Sequence, residues 1–142
     1  MALSLAEFLE LGPATSKDIQ AATGLSQAAV SRQLRRMDNR VVAIRSGRTP
    51  RYLLTRNAFG SSDRLPLAMI DAHGRADLVA HIRPLVTGGF YVEPSTEMSL
   101  LMGDSGNGLY DDLPYFLQDS APQGFIGRLI AKKMHALCPE FP

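Results

Sequence analysis

One stretch of the 142-residue sequence, from Thr15 to Leu34, constrains the fold more than any other. Thr15 and Asp18 fit a capping box, in which a hydroxyl and a carboxylate three residues later bond the free amides at a helix start. Gly24 stands where a left-handed residue ends that helix, and Ser26 is suited to cap the next one. The stretch therefore predicts two helices joined by a tight turn.

A further helix is predicted ahead of this pair. Leu5, Phe8 and Leu9 recur at helical spacing, and Gly12 and Pro13 then supply a stop. The chain thus begins with three short helices.

The third helix has two different faces. Val30, Leu34 and Met37 form one stripe that we expect to be buried. The opposite face presents six side chains: Gln27, Ala28, Ser31, Arg32, Arg35 and Arg36. An amide, a hydroxyl and several guanidiniums near a helix start are the groups that hydrogen-bond base edges and phosphates in the major groove.

A basic hairpin is predicted directly after the third helix. Residues 41–45 and 51–54 are rich in β-forming side chains, and a loop with Gly47 separates them. Arg45, Arg48 and Arg51 lie at its tip and flanks. Its position after a candidate recognition helix makes it a candidate wing.

Residues 21–34 resemble the helix-turn-helix of winged-helix bacterial regulators, and the resemblance extends over residues 1–56. Gly24, Ser26, the Val30-Ser31-Arg32 unit and the basic hairpin carry it. It implies a DNA-binding domain over residues 1–60, with helix residues in the major groove and the wing arginine Arg48 on a phosphate or in the minor groove. The expected DNA-binding residues are Ser26, Gln27, Ala28, Ser31, Arg32, Arg35, Arg36, Arg45, Arg48 and Arg51. A winged helix that is used only for protein contacts is the alternative.

The charge of the chain is unevenly distributed. The formal net charge is +1, but residues 1–56 carry nine basic and four acidic side chains, and the remainder carries six and ten. This asymmetry favours a polyanion-binding first part and a second part with another role. A solvated charged helix face would explain the basic residues without any ligand.

The second half predicts a small antiparallel sheet followed by helices. The predicted strands are residues 67–70, 76–82, 88–92 and 98–102. Asp111, Asp112 and Pro114 suit the start of a helix, and a final amphipathic helix is expected over residues 123–137. The fold class is therefore α+β, an N-terminal winged helix followed by a small antiparallel-sheet plus helix subdomain at 65–142.

Residues that could support catalysis or metal binding are few. Cys138 is the single cysteine, and the three histidines have no ligand spacing. The glycine-rich residues 102–108 lack the Gly-Lys-Ser/Thr ending of a phosphate-binding loop, and Ser105 has no nucleophile elbow. We expect no catalytic residue, metal or cofactor, no membrane span and a cytoplasmic location.

A second resemblance begins at Tyr110. Residues 110–119 (YDDLPYFLQD) and 122–128 (PQGFIGR) are similar to the N-terminal subdomain of HipA-type serine/threonine kinase toxins, especially a branch that carries its own winged helix. In that family the nucleotide loop and the catalytic and metal-binding aspartates lie further downstream. The resemblance therefore implies no kinase residue in this chain.

The sequence thus predicts a sequence-specific regulator of toxin–antitoxin type that binds double-stranded DNA. Its second segment would pack on a HipA-like kinase core in cis or in trans, and a homodimer is compatible with the winged-helix class. One alternative is the non-catalytic N-terminal part of a HipA-family kinase toxin. Another is an interaction module that inhibits a partner kinase.

Overall fold

The computed structural model describes residues 2–45, 47–58, 60, 62–96, 99–103, 106–118, 132 and 136. The chain divides into two compact units, Met1–Asp112 and Leu113–Pro142. The helices are α1 Leu5–Glu10, α2 Ser16–Thr23, α3 Gln27–Arg36 and α4 Tyr115–Gln118. The strands are β1 Val41–Ile44, β2 Arg51–Leu54, β3 Leu65–Ile70, β4 Ala76–Pro84, β5 Phe90–Pro94 and β6 Leu109–Tyr110. The predicted α+β class, with N-terminal helices followed by antiparallel sheets, is confirmed.

Side-chain caps set the starts of the first two helices. The predicted capping box of α2 is present, because Asp18 accepts from the Thr15 amide at 2.9 Å and Thr15 accepts from the Asp18 amide at 3.2 Å. Ser4 and Glu7 form a second capping box ahead of α1. Each box satisfies amides that a helix start leaves without a partner.

The three helices pack around one apolar core. Leu5, Leu9, Ile19 and Val30 are at most 1% exposed. Leu25, from the turn between α2 and α3, packs against the same cluster. Gly24 allows this turn because its φ is +72°, the left-handed region that the prediction required.

The basic hairpin is an antiparallel pair, with Val41 opposite Leu54 and Ile44 opposite Arg51. Ala14 joins its outer edge. The Ala14 amide donates to the Tyr52 carbonyl at 3.1 Å, and the Tyr52 amide donates to the Ala14 carbonyl at 2.8 Å. The hairpin is thereby fixed to the helices, as the wing of a winged helix is.

The second sheet is antiparallel, in the order β3-β4-β5-β6. The predicted strand at residues 98–102 is wrong, since Ser99–Met102 form a turn of 3-10 helix. The fourth strand is β6 instead. Gly108, with φ of +78°, lets the chain approach β5 closely, because a Cβ there would lie 2.7 Å from the Val92 carbonyl oxygen.

The wing and the second sheet are hydrogen-bonded to each other within Met1–Asp112. Thr55 and Leu85 form a β-bridge. On either side of it the Arg56 amide donates to the Pro84 carbonyl and the Val86 amide to the Leu54 carbonyl, both at 2.9 Å. The winged helix therefore continues directly into the sheet that follows it.

The unit Leu113–Pro142 is described only in part. α4 begins at Tyr115, directly after Pro114, whose carbonyl accepts from the Leu117 amide at 2.8 Å. The helix predicted over residues 123–137 lies outside the described residues except for Lys132 and Ala136, which are both helical.

Candidate nucleic-acid interface

The candidate recognition helix is α3, and its N-terminus is fixed by Ser26. The Ser26 backbone is extended, and its hydroxyl accepts from the Ala29 amide at 3.2 Å. Val30 is fully buried, and Leu34 and Met37 pack against the same core. Because this stripe faces inward, the opposite side of α3 faces solvent.

The solvent face of α3 holds the predicted base-reading residues. Five of its six side chains are exposed: Gln27, Ala28, Arg32, Arg35 and Arg36. Ser31 is half-buried. No carboxylate pairs with these arginines in the described part of the chain, and the one guanidinium contact is from Arg35 Nε to the Ser31 carbonyl at 3.4 Å. The helix presents a concentrated, uncompensated positive charge.

The wing adds three exposed arginines, Arg45, Arg48 and Arg51. Neither Arg45 nor Arg48 forms an ion pair among the described residues. Arg51 is different, because its positive charge interacts with the Asp18 carboxylate. Hydrogen bonds from Thr15 lower the pKa of Asp18, and the positive charge of Arg51 lowers it further. Arg45 and Arg48 are thus the wing cations that remain uncompensated.

Two arginines at the second sheet, Arg64 and Arg83, are bound within the protein. The Arg83 side chain is 4% exposed and donates to the Asn39 carbonyl at 2.6 Å and to the Asp63 carbonyl at 3.0 Å. Arg64 Nε lies 3.1 Å from Glu93 Oε2. These two guanidiniums are therefore held by the protein, unlike those on the solvent face of α3 and at the wing tip.

A cleft of about 590 Å³ lies beside α3, and sequence reasoning missed it. Ser31 and Arg35 of α3 line one side, and Arg83, Tyr91 and Glu93 of the second sheet line the other. Dozens of residues separate the two sides in the sequence, so no local pattern could have brought them together.

Other kinds of site find no support in the described residues. No group of three or more histidine, cysteine or acidic side chains is arranged there to hold a metal ion. Nor does any helix within the described ranges have the length and apolar character needed to cross a membrane.

Two family models match the chain. Residues 3–40 match the bacterial regulatory protein, arsR family, and this match covers α1, α2 and α3. Residues 61–142 match the YjjJ-like toxin, middle domain. A helix-turn-helix of arsR type is thus followed by the middle domain of a toxin family.

The chain is also similar to Toxin YjjJ of Escherichia coli strain K12, with 31% identity over 132 residues. The match covers 93% of this chain but only 28% of that protein. No solved structure matches significantly. Since the middle-domain model covers more than half of the chain, the protein belongs to the YjjJ-like toxin family.

Proposed function

We propose that this chain is the DNA-binding part of a toxin–antitoxin type regulator and recognises a specific double-stranded sequence. The observation that carries the proposal is the solvent face of α3, where Arg32, Arg35 and Arg36 have no acidic partner among the described residues. The arsR-family match over residues 3–40 supports it independently.

In this proposal the N-terminal residues of α3 read bases and the wing holds the backbone. Gln27, Ser31 and Arg32 supply an amide, a hydroxyl and a guanidinium for base edges, with Ser26 and Ala28 close to the groove floor. Phosphates are neutralised by the remaining cations, Arg35, Arg36, Arg45, Arg48 and Arg51. A homodimer on two half-sites is the assembly that suits this geometry.

Fluorescence anisotropy on DNA from the protein's own locus tests these roles. Arg32→Ala should weaken binding to the preferred sequence by roughly 1–3 kcal/mol and relax specificity. Arg48→Ala should weaken all sequences alike and reduce the salt slope by about one. Arg75→Ala is a matched control, because Arg75 is exposed in the turn after β3 and is not one of the predicted DNA-binding residues.

An Arg32/Arg35/Arg48 triple alanine variant decides the proposal as a whole. It should lose nearly all binding at physiological salt while keeping its far-UV circular dichroism spectrum. Equal DNA binding by this variant and the wild type would refute DNA recognition by α3 and the wing.

We propose the division into a DNA-binding domain at 1–60 and a second segment at 65–142, which packs on a HipA-like kinase core in cis or in trans. The family-model boundaries, 3–40 and 61–142, support the division. Exposed apolar side chains on the β3–β4 hairpin, Met69, Ile70 and Leu78, support packing against a further surface. No catalytic residue is assigned to this chain, and a cytoplasmic location is part of the proposal.

A second candidate function is the non-catalytic front part of a longer toxin. It is favoured by the match to Toxin YjjJ, which covers only 28% of that protein. Coding DNA that continues beyond Pro142 into a phosphate-binding loop and kinase aspartates would support it.

If the chain instead only inhibits a partner kinase, its affinity for DNA should show no steep loss between low and physiological salt.

A further inference from the structure

We propose that the cleft beside α3 binds a small organic monoanion, a carboxylate carried on a flat apolar body, and that this ligand competes with DNA for Arg35. The cleft volume, about 590 Å³, lies within the roughly 300–1,000 Å³ range of small-molecule sites. Ser31 and Arg35 belong both to the cleft and to the predicted DNA surface. Only the competition step depends on the proposed DNA-binding function.

The charges that line the cleft favour a single negative charge on the ligand. Three arginines, Arg35, Arg64 and Arg83, face two acids, Asp38 and Glu93. One oxygen of Glu93, Oε2, lies 3.1 Å from Arg64 Nε and 3.4 Å from Arg83 Nη1. The Asp63 carboxylate also lies 3.9 Å from Arg83 Nη2, so Arg64 and Arg83 both have acidic partners. The positive charge of one lining arginine is left unpaired.

That remaining charge is best assigned to Arg35. Arg83 is engaged by the Asn39 and Asp63 carbonyls as well as by Glu93. Arg35 has only the 3.4 Å contact from its Nε to the Ser31 carbonyl. Its two terminal nitrogens are therefore available to a carboxylate, which a guanidinium can bind through two parallel hydrogen bonds.

Tyr91 supplies a neutral donor on the other wall. Its hydroxyl has no hydrogen-bond partner in the described part of the chain. Burial raises the pKa of Tyr91 and the charge of Glu93 raises it further, while Arg83 opposes them. The phenol therefore stays protonated at neutral pH and can donate to an anion.

The apolar part of the lining indicates an organic ligand rather than a bare inorganic ion. Leu34, Tyr52 and the β1 residues Val41, Val42 and Ala43 line the cleft beside the charged groups. The lining thus offers a ligand apolar as well as charged groups. A planar hydrocarbon body can cover this lining while its carboxylate reaches Arg35.

The first experiment measures ligand binding to the intact 142-residue chain without DNA, by titration calorimetry. The probe is 2-naphthoate, and the neutral control is 2-naphthamide, which has the same ring system. Naphthoate should bind about tenfold more tightly than the amide, because a hydrogen bond between two charged groups is stronger than one to a neutral amide. Arg35→Gln should remove most of this difference and Tyr91→Phe part of it, whereas Arg75→Gln should leave it unchanged.

The second experiment measures competition. Saturating naphthoate should raise the Kd for DNA in the wild type by severalfold, and naphthamide should not. If the protein binds no DNA, the proposed function fails while the naphthoate titration still stands on its own. Absence of naphthoate binding, equal affinity for the amide, or indifference to both variants would overturn the ligand site. One result would assign the cleft to a DNA phosphate instead. In it, naphthoate does not bind the wild type, and Arg64→Gln reduces the salt dependence of DNA binding (the slope of log K against log salt concentration) by about one.

Discussion

We expect Arg83 to contribute more to the free energy of unfolding than any other charged residue of the second sheet. The substitution Arg83→Met tests this. Its side chain is 4% exposed, and its guanidinium spans three segments through the Asn39 carbonyl, the Asp63 carbonyl and Glu93. Methionine keeps much of the hydrocarbon volume but removes every donor. The substitution therefore removes the hydrogen bonds and the positive charge with little loss of packing.

The size of the effect follows from the exposure of the partners. Hydrogen bonds to a charged group contribute roughly 1.5–3 kcal/mol each when buried. Asn39 is exposed and Asp63 is half-buried, so water replaces part of what their carbonyls lose. The ion pair with Glu93 adds little, because the Glu93 side chain is 34% exposed. We expect Arg83→Met to lower the free energy of unfolding by about 3 kcal/mol, mostly through the two carbonyl bonds.

Arg64→Met is the matched control, since Arg64 lies beside the same oxygen of Glu93 but is 52% exposed. We expect it to change the free energy of unfolding by at most about 0.5 kcal/mol. Urea denaturation followed by far-UV circular dichroism measures both variants, as the chain has no tryptophan. Equal effects of the two substitutions would refute the argument that the buried carbonyl bonds, rather than the shared ion pair, stabilise this region.

Three further substitutions test local features of the backbone and the caps. Gly24→Ala should cost about 1 kcal/mol in urea denaturation, because its φ is +72° while nothing lies within 4 Å of the added Cβ. Gly108→Ala should lower the free energy of unfolding clearly more than Gly24→Ala, because its φ is also positive and the added Cβ would lie 2.7 Å from the Val92 carbonyl oxygen. Equal losses in the two variants would contradict the close-approach argument. Asp18→Asn should destabilise the protein at neutral pH, since hydrogen bonds from Thr15 lower the pKa of Asp18. This contribution is present above the unfolded pKa of about 3.9 and is lost as the pH falls through the lower folded pKa, so the variant and wild-type stabilities should converge in acid.

Local signals in the sequence were sufficient for the winged helix. The Thr15–Asp18 capping box, the left-handed Gly24 and the Ser26 cap lie within a few residues of the structure that they determine. The hairpin after α3 was also predictable, because two runs of β-forming residues and Gly47 define its two strands and its loop.

The second sheet was only partly predictable, because it depends on distant contacts. The apolar run at residues 98–102 fits a strand or a helix equally well, and it forms a 3-10 turn. β6 has only two residues and carries no periodic pattern. The bonds from Arg83 to Asn39 and from Arg56 to Pro84 join segments that sequence reasoning treated separately.

The contrast between the two groups of arginines also explains what the sequence charge could and could not show. Net charge by segment counts Arg56 as a basic residue of the first part, yet Arg56 Nε donates to the Leu85 carbonyl and helps to hold the sheet. Arg32, Arg35 and Arg36 lie three and four residues apart on one turn of α3, where like charges destabilise a helix by roughly 0.2–0.5 kcal/mol per pair. The field of the helix C-terminus stabilises each nearby cation by roughly 0.3–1 kcal/mol, which is enough to offset this repulsion. The free protein can therefore keep these arginines on α3 without acidic partners, and a polyanion meets them there without first breaking an ion pair.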